Sequence, residues 1–340
     1  MKQIQTKFRQ LDSLIFLRSI AVIFVVLCHY CWVLETGHSL SFLFKWIHDY
    51  GKYSVHIFFV ISGFVIPYSL LKGGYQPKDY IKFLSKRIIR LHPSYIASLI
   101  LTVWLAYIFQ RYLHSQFDET IESFIRSIFY LYTPSDNPVY WTLIIEAQYY
   151  LFIWIFYILI IKHISFTYWI AIPILLYACQ TWLHDYISLL LFLPFFLAWN
   201  LLFMLYSARG KKWINFLMLF AILVYISQYY ALAACIASSI AILCILCIRG
   251  SIPSPIKFIG TISYSVYLIH YPLWMEPLIY LRSIINPNHY WIVIIISLPL
   301  IFSLSWIFYM LFEKMSERIS KSMKYNWNNE SQSNISICIK

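Results

Sequence analysis

Ten apolar stretches, most of them close to twenty residues long, decide what this chain can become. They run at roughly 14–34, 53–71, 94–110, 138–161, 167–183, 186–206, 213–230, 231–248, 260–281 and 290–312. About twenty apolar residues match the hydrocarbon thickness of a bilayer. In hydrocarbon each backbone N–H and C=O has to find its partner within the segment, so each stretch is expected to be a helix. Composition agrees: 61% hydrophobic, 12% charged and 20% aromatic lies outside the range of a soluble domain. The expected fold is all-α, a polytopic membrane protein of about ten transmembrane helices.

Basic residues in the short loops orient such a bundle. With the N-terminus inside, twenty of the 26 Lys and Arg fall on the inner side and five on the outer, and Arg18 lies within a span. Both termini are therefore expected to be cytoplasmic, in a multi-pass protein of the inner (plasma) membrane. The same rule, with anionic lipid at the inner face, accounts for the net charge of +12. The basic residues are scattered over separate loops, which argues against a nucleic-acid partner. The first span reads as a retained anchor, since no small-residue cleavage site follows it. Residues 1–313 read as one membrane domain, and 314–340 as a polar, disordered cytoplasmic tail. The seven cysteines are odd in number and mostly apolar in context, so they read as small hydrophobes, with no disulfide framework.

Titratable residues are concentrated in four of the ten spans. Arg18 and His29 lie in the first, His56 in the second, Glu146 in the fourth, and His270 with Glu276 in the ninth. An ionisable group in hydrocarbon is costly and is usually retained for function, so this clustering points to one polar cavity shared by a minority of helices. Arg18 and His29 are eleven residues apart, which puts them on one stripe and about 16 Å apart along the axis. Thr142, Glu146 and Tyr149 or Tyr150 share a second face, and Ser263, Tyr267, His270 and Trp274 share a third. His29 and Glu146 are expected at similar depth in the outer half. His56 and Glu276 read as packing or interfacial groups.

A second constellation precedes the third span, where residues 78–95 read KDYIKFLSKRIIRLHPSY. Arg87 and Arg90 share a helix face, and paired guanidiniums suit bidentate phosphate binding better than lysines do. Pro93 marks an expected kink or helix start. No glycine-rich phosphate loop is present, so a nucleotide-like ligand would be held by side chains.

These motifs, in this order, closely resemble the integral-membrane acyltransferases of family 3. The resemblance rests on Leu17-Arg18-Ser19-Ile20-Ala21 followed by His29, and on Phe58-Phe59-Val60-Ile61-Ser62-Gly63-Phe64. It continues through Arg87-Ile88-Ile89-Arg90 with Pro93 and Tyr95, and Trp141-Thr142-Leu143 with Glu146 and Gln148-Tyr149-Tyr150. It ends with Ser263-Tyr264-Ser265-Val266-Tyr267-Leu268, His270 and Pro272, then Phe312-Glu313. There are departures: Ile15 stands where the family often has Asp, Thr142 replaces Ser, and Lys314 replaces Pro after Glu313.

The resemblance implies an acyl-CoA donor, with acetyl-CoA the first candidate, and an O-acyl transfer to a hydroxyl of a cell-surface or lipid-linked glycan. Arg18, Arg87 and Arg90 are then expected to bind the donor. His29 is expected to act as general base or acyl carrier, with Glu146 orienting or charging its imidazole. Trp141, Thr142, Tyr149, Tyr150, Ser263, Tyr267 and His270 are expected to line the substrate site, and no metal is expected. The leading alternative is a transporter or flippase for a glycan or lipid-linked intermediate. It would favour inverted repeats and glycine-interrupted helices, and the chain has 8 Gly and no evident repeat. A glycosyltransferase would need acidic ligands in an outer loop, for which Asp118, Glu119, Glu122 and Asp136 are the candidates.

Overall fold

A computed structural model describes residues 2–113, 119–248 and 250–323. Helix dominates, and there is no strand among the described residues. In chain order the helices are α1 (Lys2–Leu34), α2 (Ser41–Gly51), α3 (Ser54–Lys72), α4 (Tyr80–Leu113), α5 (Ile121–Ile128) and α6 (Trp141–Lys162). They continue with α7 (Ile164–Phe166), α8 (Ile172–Ala178), α9 (Leu193–Tyr206), α10 (Lys212–Tyr229) and α11 (Leu232–Cys247). The last are α12 (Ser254–Thr261), α13 (Ser263–Ile284), α14 (Tyr290–Phe308) and α15 (Lys314–Ser322).

Six of the described helical stretches are long and apolar enough to cross a membrane: Asp12–Leu34, Ser41–Lys72, Pro77–Tyr112, Pro138–Lys162, Lys212–Tyr229 and Pro287–Ser322. Three shorter apolar helices, Ile164–Ala178, Leu193–Tyr206 and Leu232–Ile245, occupy three more of the ten expected stretches. The remaining one is α13, whose serines, tyrosines and His270 dilute its apolar character. Large apolar side chains are exposed along these helices, among them Trp104, Leu151, Phe220 and Ile296. In a bilayer such a surface is the solvated one.

Several local expectations change. Pro93 does not start a helix, because α4 continues on both sides of it. Membrane helices tolerate proline, since neighbouring groups satisfy the carbonyl it frees. Residues 314–322 are not an unstructured tail: α14 passes through a wide turn, Tyr309–Glu313, straight into α15, where Ser316 and Ser320 are buried. Residues 324–340, the rest of the expected tail, lie outside the described residues. Three short helices, α2, α5 and α12, replace expected loops. Helix α5 starts at a reciprocal cap, in which Ser123 N–H donates to Thr120 Oγ1 and Thr120 N–H to Ser123 Oγ.

The described residues divide into two compact units. The first contains Met1–Val55, Arg87–Thr142 and Cys244–Ser320, and the second contains His56–Lys86, Leu143–Leu243 and Lys321 onwards. In the first unit α1 packs against α2, α12, α13 and α14. The approach to α12 is close: a Cβ added to Gly260 would clash with Ile15 O. Ser19 Oγ sits 2.8 Å from Ile15 O and 2.6 Å from Ile256 O, and Lys257 pairs with Asp12 at 3.9 Å. Small residues that let backbones meet are the usual means of joining helices in lipid.

In the second unit α9 is buried along nearly its whole length and packs against α10. Gly63 of α3 meets α9 so closely that an added Cβ would lie 2.9 Å from Trp199 Cβ and 3.1 Å from Phe196 O. Gly63→Val should therefore force α3 away from α9, at a cost of about 1–3 kcal/mol. Thermal unfolding in detergent checks this, with Gly250→Ala as control because nothing lies within 4 Å of that position. Equal unfolding temperatures for the two variants would refute the close-packing account.

Candidate active site

His29 lies on the face of α1 that meets α13. Its ring stands 5.4 Å from that of His270, tilted by 41°, and 5.2 Å from Tyr271, which meets it edge-on. His270 is fully buried, and its Nδ1 lies 3.0 Å from Val266 O and 2.9 Å from Tyr267 O, both on its own helix. The backbone around it is fastened from two sides. Tyr30 Oη donates to His270 O at 3.4 Å, and Asn137 Nδ2 donates to Leu268 O at 3.0 Å. Long-range bonds of this kind hold a short polar stretch of α13 at a set position beside α1.

Tyr267 of α13 meets Thr142 of α6. Tyr267 Oη donates to Val139 O at 2.7 Å and lies 2.7 Å from Thr142 Oγ1, which itself donates to Val139 O at 3.2 Å. Both are nearly buried. Ser263 is about two turns before His270 on α13 and donates to Gly260 O at 2.9 Å, closing the junction of α12 and α13. Its hydroxyl proton is thereby engaged in shaping the helix.

Tyr271 also borders a cavity of about 150 Å³ in the first unit. Trp32, Thr102, Asp136, Tyr271, Met275 and Glu276 are among its walls. Glu276, read from sequence as a packing or interfacial group, is thus a cavity wall. Its spacing gave no signal, since six residues beyond His270 is about 120° away around the helix. Aromatic faces beside carboxylates and hydroxyls make a wall that can take both the apolar and the hydroxyl side of a small ring.

At the Arg18 end of α1 the charged groups converge on one carboxyl. Glu313 is 3% exposed and accepts a hydrogen bond from Ser265 Oγ at 2.6 Å. Arg18 and Arg90 are the cations that act on it, and Arg90 also pairs with Glu317 of α15 at 3.6 Å. Arg87 lies one turn earlier on α4. Sequence reasoning had joined Arg18, Arg87 and Arg90 as donor-binding residues without the acid that Arg18 and Arg90 share.

A family model described as an acyltransferase domain matches residues 11–310. The chain belongs to acyltransferase family 3. No curated protein and no solved structure matches it. With its apolar helices, this membership makes the protein a membrane acyltransferase.

The remaining expected site residues of this acyltransferase belong to the second unit, except Trp141, which opens α6 in the first. Tyr150 Oη donates a short hydrogen bond to Glu146 Oε1, and Ser62 Oγ donates to the same oxygen at 3.4 Å. Tyr149 is fully buried, stacked on Phe196 at 4.1 Å and bonded to Asn200. His56 packs its ring against Phe195 at 4.5 Å. Of the acids named for a glycosyltransferase, Asp136 borders the cavity, Asp118 lies outside the described residues, and the other two are engaged elsewhere. Glu119 accepts from Ser135 N–H at 2.9 Å and from Ser123 Oγ at 2.6 Å, and Glu122 pairs with Arg126 at 3.6 Å. Among the described residues, no three His, Cys, Asp or Glu side chains converge as metal ligands.

Proposed function

We propose that this acyltransferase moves an acyl group, acetyl first among the candidates, from cytoplasmic acyl-CoA to a hydroxyl of a cell-surface or lipid-linked glycan at the inner (plasma) membrane. One observation carries the reading: His29 touches Tyr271, and Tyr271 borders a cavity walled by aromatic rings, carboxylates and hydroxyls. An imidazole packed against a wall of such a cavity is in reach of a hydroxyl bound there and suited to take its proton.

In this reading Arg87 and Arg90 hold the CoA phosphates, and the pantetheine arm passes Arg18 towards His29. The acceptor ring lies in the cavity, where Trp32 and Tyr271 offer their faces and Asp136 and Glu276 accept hydrogen bonds from its hydroxyls. His29 takes the proton of the reacting hydroxyl, whose oxygen attacks the thioester carbonyl. The C–O bond forms, the C–S bond breaks, and the proton passes to the departing thiolate of CoA. Thr142 supplies a hydroxyl for the acceptor or the developing oxyanion. The sequence resemblance puts Trp141, Tyr149 and Tyr150 forward as further substrate-binding residues and Glu146 as a catalytic carboxylate.

The test is mass spectrometry of surface glycans and lipid-linked sugars from cells with the protein and cells without it. Ester-linked acyl groups should be present in the first and absent from the second. Identical acylation in the two would end the proposal.

A further inference from the structure

We propose that His270 is the positioning residue for His29: its Nε2 lone pair receives the N–H of the His29 imidazole. That bond decides which nitrogen of His29 faces the acceptor hydroxyl. The inference rests on the acyl-transfer reading above and adds a residue whose role there was only to line the site.

The argument starts from hydrogen-bond capacity. A neutral imidazole has one donor nitrogen and one acceptor nitrogen. His270 Nδ1 faces two backbone carbonyl oxygens, those of Val266 and Tyr267, at 3.0 and 2.9 Å. Carbonyl oxygens only accept, so Nδ1 carries the hydrogen and Nε2 is left with its lone pair. Nε2 is buried in a side chain of zero exposure and makes no hydrogen bond among the described residues. A buried acceptor in that condition is costly until a donor reaches it.

Three rings lie near it. The Tyr267 ring is 6.0 Å away, but its hydroxyl donates to Val139 O. The Tyr271 ring is 6.5 Å away. The His29 ring is nearest, at 5.4 Å, and its terminal torsion is soft enough to turn an N–H towards His270. With one nitrogen so held, the other presents its lone pair to the acceptor. When it takes the proton, both nitrogens of His29 are donors and His270 keeps one of them. A carboxylate does this work in soluble triads. Here the partner is a neutral ring, which spares the membrane interior an unpaired buried charge.

The experiment follows radiolabelled acetyl-CoA into the envelope acceptor, using membranes from cells expressing wild type, His29→Ala, His270→Leu or His270→Gln. Leucine removes the lone pair, and glutamine returns an acceptor oxygen near the place of Nε2. His270→Leu should lower kcat by about 10²-fold with KM for acetyl-CoA unchanged, and His270→Gln should recover at least about tenfold of that loss. Full activity of His270→Leu beside an inactive His29→Ala overturns this inference alone. So does equal loss in the leucine and glutamine variants, or a loss confined to KM. No transfer by wild type, or full transfer by His29→Ala, overturns the acyl-transfer reading and this inference with it.

Discussion

Acyl transfer should fall by about 10²–10⁴-fold in His29→Ala, the range general-base catalysis supplies, while the protein still inserts and binds acyl-CoA. The size of the effect follows from what His29 does and does not touch. Its ring contacts are with His270 and Tyr271, and α1 is held to its neighbours elsewhere, by Gly260 at Ile15 and by Ser19 near Ile256. Alanine thus removes a titratable ring that packs against Tyr271, a wall of the cavity, and leaves the helix contacts in place. The measurement is label transfer from acetyl-CoA in membranes, beside thermal unfolding and acetyl-CoA binding of the purified variant. Wild-type turnover by a folded His29→Ala protein would remove His29 from the mechanism.

The second large effect is on donor affinity. Arg87→Gln combined with Arg90→Gln should weaken acetyl-CoA binding by about 10²-fold or more, since each charged hydrogen bond to a phosphate is worth about 1.5–3 kcal/mol. Stability should change less. Arg90 pairs with Glu317 at 3.6 Å, with both side chains partly exposed, and a pair of that kind contributes at most about 1 kcal/mol, while buried Glu313 keeps Arg18 and its hydrogen bond from Ser265. Titration calorimetry of acetyl-CoA into protein held in nanodiscs measures the first quantity, and thermal unfolding the second. A lysine pair in the same positions should recover only part of the affinity, because an ammonium cannot form the planar two-point contact. Unchanged affinity in the glutamine pair would show that the phosphates bind elsewhere.

Much of the site was readable because its residues are expensive. Arg18, His29, Glu146 and His270 stand out against apolar spans, and the structure sets His29 beside His270 and brings Arg18 and Arg90 to Glu313. The place of Glu276 in a cavity wall was not legible, for a physical reason. An acid near a helix end is usually interfacial, and only the walls supplied by α1 and α4 turn its surroundings into a cavity. Helices α2, α5 and α12 escaped for another reason. Eleven or eight residues carry no bilayer-length signal, and their apolar faces have meaning only once a partner surface exists.

Sequence alone determined that this chain is helical and membrane-bound, because hydrocarbon leaves its backbone no other way to satisfy each N–H and C=O. It also determined the costly side chains, because an ionisable group in a span needs a reason to be there. Which helix faces meet was decided by tertiary structure. In lipid every apolar face is equally content, so hydrophobicity does not choose partners. Close approach at Gly260 and Gly63 and a few polar bonds do. The pairing of His29 with His270 depends on that choice, since it exists only where α1 and α13 lie side by side.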